Sequence, residues 1–310
     1  MSQLEEAENP LWGPTEVEAW WAKQDTNKRS YQKDVVARLK NPRKFPSDKF
    51  DLQQYGALSA DPERYPLYRV TTKKENWNPN NPTILITGGV HGYEPSGIRA
   101  ALHFLEKVAP KYADKINFVV YPCVSPIGYE IDHRWNRQAQ DPNRHFRENG
   151  KAEESLQLMA SLKQVKAELL HDKRFRFAID LHETNNRDIE LIAERHARDG
   201  TSPKPEDKII PNGFYLCVTK EDDVSTGQKI VRAVKKVTAI CADDKIIGYP
   251  NQEGVIVLND VKGLCQGFTS TMSDMAMTTE IYPDKITARK ARNAQLAVIK
   301  KAIALTLNPS

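Results

Sequence analysis

The sequence lacks most of the features that mark secreted, membrane or nucleic-acid-binding proteins. It has only four cysteines in 310 residues, and their irregular spacing matches neither a zinc finger nor a redox motif. No apolar run approaches the roughly 18 residues that span a bilayer, and the polar, acidic N-terminus does not resemble a signal peptide. A net charge of +4 without a run of Lys and Arg gives no phosphate-binding stripe. We therefore expect a cytoplasmic protein with no nucleic-acid or membrane partner, whereas no pattern predicts the oligomeric state.

What the sequence does contain is an alternation of strand-like and helix-like segments. The continuous apolar run at 83–89 predicts a central strand that is buried on both faces. Strands are predicted at 65–73, 83–89, 116–124, 175–182, 213–218 and 277–282, and helices at 15–40, 95–113, 151–171, 228–240 and 284–306. Such alternation predicts an α/β sheet that is covered by helices on both faces.

The first 55 residues differ from the strand-rich remainder. They contain one predicted helix, 15–40, so we expect an N-terminal helical extension at 1–55 and a main α/β domain at 56–310. Trp20 and Trp21 lie in that helix, and core packing is the usual fate of such side chains, although an interface would also bury them. The segment 185–212 is polar and irregular, which predicts a long loop of the kind that is often functional.

A histidine and a carboxylate follow the predicted central strand. His91 and Glu94 lie three residues apart, in a glycine-rich turn that leads into the next helix. Sites in open α/β sheets form beyond the carboxyl ends of the strands, and imidazole and carboxylate are both zinc ligands. Taken alone, however, the pair is more simply explained by a hydrogen-bonded loop histidine and a glutamate that complements a helix N-terminus.

Two further polar residues lie in or at the end of apolar strands. His182 ends the strand at 175–182 and would complete a two-histidine, one-glutamate set with an open position, which is typical of catalytic zinc. Its alternative is a strand-end histidine bonded to a carbonyl. Glu280 lies within an apolar strand, where an unused carboxylate is costly to bury. Burial would raise its pKa towards that of a general base, whereas on an edge strand it would simply face water.

The segment 134–144 contains three arginines after the strand at 116–124. A guanidinium binds a carboxylate through two parallel hydrogen bonds. Arginines beside a metal would therefore suit a substrate with a terminal carboxylate. For this segment alone, a solvated charged loop is the competing interpretation.

Together these residues resemble the M14 family of zinc carboxypeptidases, with features of the related aspartoacylase and succinylglutamate desuccinylase branch. The family pattern is His-x-x-Glu, a loop arginine, Asp-x-Asn-Arg, a strand-end histidine and a late-strand glutamate, and every element occurs in order between residues 91 and 280. The resemblance covers roughly residues 60–305. It implies that 56–310 is a catalytic domain with a three-layer α/β/α fold around a mixed, twisted sheet.

The resemblance implies a role for each residue of a metal centre. His91, Glu94 and His182 would hold a single zinc ion. Asp141 would orient the first of these histidines, which is the support that zinc-binding imidazoles usually need. Zinc would lower the pKa of a bound water.

The resemblance also implies how the substrate is bound and cleaved. Asn143 and Arg144 would bind its terminal carboxylate. Arg134 would stabilise the negative oxygen that forms at the scissile carbonyl. Glu280 would take a proton from the water and return it to the leaving amine.

Three functions fit these residues. The main hypothesis is a metallocarboxypeptidase that removes the C-terminal residue of a peptide. An N-acyl amino acid deacylase is the alternative within the same chemistry, and the run Asp180-Leu-His-Glu-Thr favours that branch. A non-catalytic peptide-binding protein would be expected to have lost Glu280 or Arg134, and neither is lost.

Side-chain specificity is less well defined by the sequence. Residues 265–277 precede Glu280 and are expected to line the pocket for the substrate side chain. Asp274 would favour a basic side chain there, unless it is an ordinary turn residue, which we prefer. Cys265 and Met275 would instead indicate an apolar pocket.

One family element is not located by a motif, namely the mobile tyrosine that covers a bound substrate. Tyr249 lies in a predicted loop, and Tyr282 lies two residues beyond Glu280 on the same strand face. Both are retained as candidates.

Overall fold

A computed structural model describes residues 11–203, 205–282 and 284–308. Its strands are β1 (Phe50–Ala57), β2 (Pro66–Thr72), β3 (Thr83–Gly88), β4 (Asn117–Tyr121), β5 (Phe175–Glu183), β6 (Tyr215–Val218), β7 (Lys245–Ile246), β8 (Tyr249–Pro250), β9 (Val255–Val257) and β10 (Ser273–Ile281). Eight of them form one mixed sheet in the order β1-β2-β4-β3-β5-β10-β6-β9, and β7 pairs with β8 in a separate hairpin.

Helices cover both faces of the sheet. They are α1 (Pro14–Trp21), α2 (Ala37–Leu39), α3 (Pro95–Lys107), α4 (Pro126–Ile131), α5 (Glu153–Val165), α6 (Asp188–Asp199), α7 (Val224–Val234), α8 (Cys265–Ser270) and α9 (Ala288–Leu307). Helices α3, α7 and α9 pack on one face, and α5 and α8 pack on the other. The predicted three-layer α/β/α fold with a mixed sheet is therefore confirmed.

The alternation of side chains along β5 decides which face carries polar groups. Phe177, Ile179 and Leu181 enter the large core beneath α3, α7 and α9, whereas Ala178 faces the smaller core beneath α5 and α8. Asp180 and His182 share the face of Ala178 because side chains two residues apart point the same way. Strands β4, β3, β5 and β10 are parallel neighbours, so their carboxyl ends meet at one edge of the sheet.

The single helix predicted at 15–40 is wrong. Helix α1 ends at Trp21, and helical structure returns only at the π-helical segment Gln32–Val36 that leads into α2. Between them the side chain of Asp25 accepts the backbone N–H of Asn27 at 2.9 Å. Such a local hydrogen bond competes with helix formation.

The predicted extension packs against the main body. Trp20 is buried in the large core, and residues 1–10 of the extension lie outside the described residues. Strand β1 runs across the predicted boundary at residue 55 and pairs with β2 in the main sheet. The division at 55 and 56 remains a prediction.

The long loop predicted at 185–212 is also wrong in part, because it contains helix α6. The segment is strongly polar overall, and the side chains that the helix buries are mostly polar, so it resembles a loop in the sequence. Leu191 is buried beside His196 and Arg198, each of which has a carboxylate partner.

The length and hydropathy of a helix determine whether it can cross a membrane. Among the described residues, no helix combines the length and the apolar character that a membrane crossing requires.

Candidate active site

The turn between β3 and α3 brings His91 and Glu94 to the carboxyl edge of the sheet. Gly89 has a φ of +64°, a conformation that L-residues with a side chain rarely adopt. A Cβ at Gly92 would lie 2.0 Å from the backbone nitrogen of Tyr129, so only glycine permits this close approach. The glycine-rich turn therefore sets the path of the backbone between the strand and the two polar residues.

The three predicted metal ligands converge on one point. The Nδ1 atoms of His91 and His182 each lie 2.8 Å from a carboxylate oxygen of Glu94, and 3.1 Å from one another. One donor atom from each of the three residues lies within 4.8 Å of the others, and all three side chains are buried.

Each histidine is held by a carboxylate on its outer nitrogen. His91 Nε2 lies 2.9 Å from Asp141 Oδ1, and His182 Nε2 lies 2.9 Å from Asp180 Oδ2. Thr87 in turn donates a hydrogen bond to Asp180 Oδ1 at 2.6 Å. A carboxylate on Nε2 favours the tautomer whose proton is on that nitrogen, so both Nδ1 lone pairs face the centre.

The donor set fits a divalent cation. Two imidazoles and a carboxylate are zinc ligands, and carboxylate-supported imidazoles are typical of zinc centres. Burial alone would raise the pKa of Glu94, but His91 and His182 lower it below its ordinary value. Burial alone would lower the pKa of His182, whereas Asp180 and Glu94 raise it well above its ordinary value. Both shifts have the sign expected where neighbouring carboxylates attract a positive charge.

Glu280 lies beside the three ligands because of strand register. On β10 it is the direct partner of His182 in β5 and of Tyr215 in β6, so the three side chains point to one face. Thr184 donates a hydrogen bond to Glu280 Oε2 at 2.7 Å. Burial raises the pKa of Glu280 to about 8, with a further rise from the nearby carboxylate of Glu94, although His182 opposes the shift.

A second hydroxyl supports Glu280 through Thr184. The hydroxyl oxygens of Tyr215 and Thr184 lie 3.0 Å apart. Because the proton of Thr184 points to Glu280, the Thr184 oxygen is left to accept a hydrogen bond from Tyr215. Tyr215 and Asp180 were not predicted from the sequence as site residues. For Asp180 the available signal was a carboxylate within an apolar strand, which is the signal that identified Glu280.

Arg134 lies at the same edge and shares Asp141 with His91. Its Nε donates to Asp141 Oδ2 at 2.7 Å, and its guanidinium also reaches the hydroxyl of Tyr93 at 3.4 Å. Tyr93 donates to the carboxylate of Asp188. Although burial would lower the pKa of Arg134, Asp141 raises it well above its ordinary value. This guanidinium therefore stays positively charged close to the ligand cluster.

Asn143 and Arg144 lie on the wall of the same cavity. The backbone N–H of Cys265 donates to Asn143 Oδ1 at 2.7 Å, and the Arg144 guanidinium donates to the carbonyl of Asn143 at 2.7 Å. Asn143 and Arg144 both carry N–H groups, which are the groups that bind carboxylates in proteins.

Neither tyrosine candidate lines the cavity in this conformation. Tyr282 donates to Asn186 Oδ1 at 2.8 Å, and Tyr249 packs with the residues around the β7–β8 hairpin. Ile247, in the turn of that hairpin, occupies the cavity wall instead. Two other tyrosines lie at the site, since the Tyr93 ring is 6.1 Å from that of His91 and Tyr215 lines the cavity.

Two adjoining cavities open beside Glu280. The first, of about 110 Å³, contains the ligands His91 and Glu94 and extends to Asn143. The second, of about 160 Å³, extends from Glu280 towards Leu191 and a wall formed by residues 209–211. Substrate atoms on the two sides of a scissile bond can therefore occupy separate spaces.

Part of the sequence matches one protein-family model. Residues 80–204 match the family model described as the succinylglutamate desuccinylase/aspartoacylase catalytic domain. The matched segment contains every predicted site residue except Glu280. Comparison with curated protein sequences gives no match.

The fold is similar to that of solved metallopeptidase structures. A candidate metallopeptidase from Shewanella amazonensis SB2B has a TM-score of 0.64 at 19% identity, over 84% of this chain and 88% of that chain. Another from Shewanella denitrificans OS217 has a TM-score of 0.64 at 18% identity, over 98% and 97% of the chains. Carboxypeptidase A from Helicoverpa armigera has a TM-score of 0.58 at 12% identity, over 94% and 78%.

At these identities the solved structures show a shared fold. The family match and the fold together confirm the resemblance to zinc carboxypeptidases and to the desuccinylase branch that was predicted from the sequence. They also support the predicted class, a carboxypeptidase-like hydrolytic enzyme.

Proposed function

We propose that the protein is a zinc-dependent metallocarboxypeptidase-like hydrolase, which cleaves an amide bond next to a free carboxylate and releases the C-terminal residue of a peptide. The observation that carries the proposal is the convergence of His91 Nδ1, His182 Nδ1 and the Glu94 carboxylate beside Glu280. A buried cluster of this composition needs a cation, and a carboxylate of raised pKa next to it suits proton transfer.

The three ligands would hold one zinc ion, with Asp141 and Asp180 fixing the orientation of the imidazoles. Zinc at this position would polarise the scissile carbonyl and make a water more acidic.

Glu280 is proposed as the general base and acid. Thr184 holds one of its carboxylate oxygens, which leaves the other oxygen to accept the proton of the attacking water. The same carboxyl group would then donate this proton to the leaving amine. A pKa raised to about 8 places the group in the range where it can both accept and return a proton near neutral pH.

Three residues of segment 134–144 are proposed to bind the substrate. Arg134, positively charged and fixed by Asp141, would stabilise the negative charge that develops on the carbonyl oxygen. The amide nitrogen of Asn143 and the guanidinium of Arg144 would bind the terminal carboxylate. With the terminal carboxylate of the substrate bound by Asn143 and Arg144, the adjacent amide bond of the substrate would lie beside Glu280.

The second candidate function is N-acyl amino acid deacylation. It is favoured by the match of residues 80–204 to the desuccinylase/aspartoacylase model. The second cavity, of about 160 Å³, is also small enough to suit a short acyl group. Both functions use the same catalytic residues and differ only in the group that lies beyond the amide.

We also propose that the protein acts in the cytoplasm. All four cysteines are free and buried, as expected in a reducing compartment.

The substitution Glu280→Gln separates an enzyme from a binding protein. Zinc-loaded wild type and variant are incubated with free-ended peptides and with N-acyl amino acids, and products are identified by mass spectrometry. We expect the variant to bind zinc and ligand but to lose at least about 100-fold in turnover, since general acid–base catalysis contributes that much. Unchanged turnover would contradict the role of Glu280. Cleavage of acyl amino acids alone would replace the main function with the second.

A further inference from the structure

The first cavity continues beneath Glu280 along the face of the sheet. Thr278 precedes Glu280 by two residues on β10 and is the register partner of Cys217 in β6. Both side chains therefore share the face of Glu280, roughly 7 Å deeper along the strands. Gln266 of α8 lies at the same depth and contacts both, and these three residues form the floor of the cavity.

The floor is neutral, and its polar groups are hydrogen bonded to one another. The Gln266 side-chain nitrogen donates to the carbonyl oxygens of Cys217 and Ala276 at 2.9 and 3.3 Å. Its side-chain oxygen accepts the hydroxyl hydrogen of Thr278 at 3.0 Å. Gln266 is only 1% exposed, so this arrangement is fixed by its surroundings. A charged substrate group on this floor would lose its water without gaining an ionic partner.

The carboxylates near the cavity are already engaged. Glu183 accepts the backbone N–H of Ser96, and Asp188 accepts from Tyr93 and from the backbone N–H of Asn185. Neither lies on the floor. Asp180 is the register partner of Thr278 and lies at the depth of the floor, but its two oxygens already take part in hydrogen bonds with Thr87 and His182. A basic side chain of the substrate would therefore meet only carboxylates that are already hydrogen bonded.

Asp274, considered from the sequence as a determinant of basic specificity, lies elsewhere. It is an exposed residue near the start of β10 and faces Arg174 and Arg176 at 3.5 Å. Cys265 and Met275 are buried in the two cores rather than in the cavity.

The size of the cavity sets a second limit. Its volume is about 110 Å³, including the space beside the metal ligands, and Ile247, Leu258 and Leu264 form apolar walls. An apolar cavity of about 150 Å³ is what holds a benzene molecule. The cavity is thus smaller than one that holds an aromatic ring, which favours a small aliphatic side chain over an aromatic one.

We infer that this floor selects substrates whose carboxylate-bearing residue has an uncharged aliphatic side chain no larger than that of leucine. The inference rests on the proposed function, because Asn143 and Arg144 must fix the terminal carboxylate above the floor. Gln266, Thr278 and Cys217 then determine the specificity for the side chain of the C-terminal residue.

Peptides that differ only in the C-terminal residue test the inference. We expect kcat/KM for Ala, Val and Leu to exceed that for Arg, Glu and Trp by at least about 100-fold, since mismatched groups in a shaped pocket are discriminated to this extent. A preference for Arg, Glu or Trp would overturn the inference, even with cleavage established.

Binding of free amino acids, the products of cleavage, gives a readout without turnover. Calorimetry with zinc-loaded Glu280→Gln protein should rank leucine at least about 10-fold above arginine and glutamate. If no peptide is cleaved but leucine binds best, the proposed reaction fails and the specificity stands. If arginine or glutamate binds best, the specificity fails.

Two variants change the floor in opposite ways. Thr278→Asp places a carboxylate there and should raise release of C-terminal Lys relative to Leu by about 10-fold or more. Cys217→Ala enlarges the floor and should raise release of Phe relative to Leu. Asp274→Asn is the matched control, because it removes a carboxylate from the same strand outside the cavity and should leave both ratios unchanged. Unchanged ratios in both floor variants would overturn the inference.

Discussion

The substitution Asp180→Asn tests how the second histidine ligand is held. Asp180 Oδ2 accepts the Nε2–H of His182 at 2.9 Å, while Oδ1 accepts the hydroxyl hydrogen of Thr87 at 2.6 Å. Asparagine can keep the bond to Thr87, but its NH₂ group then faces the Nε2–H. Two donors cannot pair, so the imidazole is driven to carry its proton on Nδ1. That nitrogen faces Glu94 at 2.8 Å and is the atom that would bind the metal.

The expected effect is a 10- to 100-fold weaker zinc affinity, the usual result of removing a carboxylate behind a metal-bound histidine. This corresponds to about 1.4–2.7 kcal/mol of binding free energy. Competition with a chromophoric zinc chelator at pH 7.5 measures it directly. The metal-free variant should retain the circular dichroism spectrum of the wild type, because the side chain keeps its shape and its bond to Thr87.

The substitution Thr87→Val is the matched control. It removes the support of Asp180 but leaves the acceptor for His182, so zinc affinity should fall by less than about 10-fold. If Asp180→Asn binds zinc as tightly as the wild type, the assignment of His182 Nδ1 as a metal donor is refuted. An equal loss in both variants would refute the role given to the Asp180–His182 hydrogen bond.

Two further predictions concern hydrogen bonds within the site, and a third concerns the buried carboxyl group of Glu154 elsewhere in the fold. Asp141→Asn should weaken zinc binding as much as Asp180→Asn does. At saturating zinc it should also lower kcat further than Asp180→Asn, because Asp141 fixes Arg134 Nε at 2.7 Å. Equal kcat values in the two variants would contradict this. Tyr215→Phe removes the hydroxyl group that lies 3.0 Å from that of Thr184. In steady-state kinetics this variant should lower kcat by roughly 5- to 10-fold and leave KM unchanged. An effect on KM alone would contradict a positioning role for Tyr215. Burial raises the pKa of Glu154 from 4.5 to about 7. Between about pH 4.5 and 7 the unfolded chain therefore loses a proton that the folded protein keeps, and the free energy of unfolding falls progressively as pH rises. Relative to Glu154→Gln, the wild type should therefore lose up to about 3 kcal/mol of unfolding free energy over that range, and a difference independent of pH in urea unfolding would contradict it.

The positions of the proposed metal ligands were predictable because each follows an apolar strand. A continuous apolar run marks a buried strand, and parallel neighbours end at the same edge, so His91 and His182 could be placed together from the sequence. The partners that hold them were harder to predict. Asp141 came from a family motif, whereas Asp180 depends on the register between β5 and β3, which puts Thr87 opposite it. No local pattern encodes that pairing.

The elements that were predicted wrongly share a physical cause. Helix α6 buries His196 and Arg198 with carboxylate partners, so its buried face is not apolar. The break after α1 depends on a side-chain hydrogen bond of Asp25 that competes with helix formation. In both places polar pairing decides the structure, whereas hydrophobic periodicity reports only apolar burial.

Zinc-dependent cleavage of matched peptides decides whether the proposed carboxypeptidase reaction occurs. Protein freed of metal by a chelator and protein reconstituted with zinc are each given a peptide ending in leucine and the same peptide with a C-terminal amide, and the products are identified by mass spectrometry. We expect release of leucine from the free-ended peptide alone, and only with zinc, because Asn143 and Arg144 need a carboxylate to bind. Release without zinc, or equal cleavage of the amidated peptide, would contradict it.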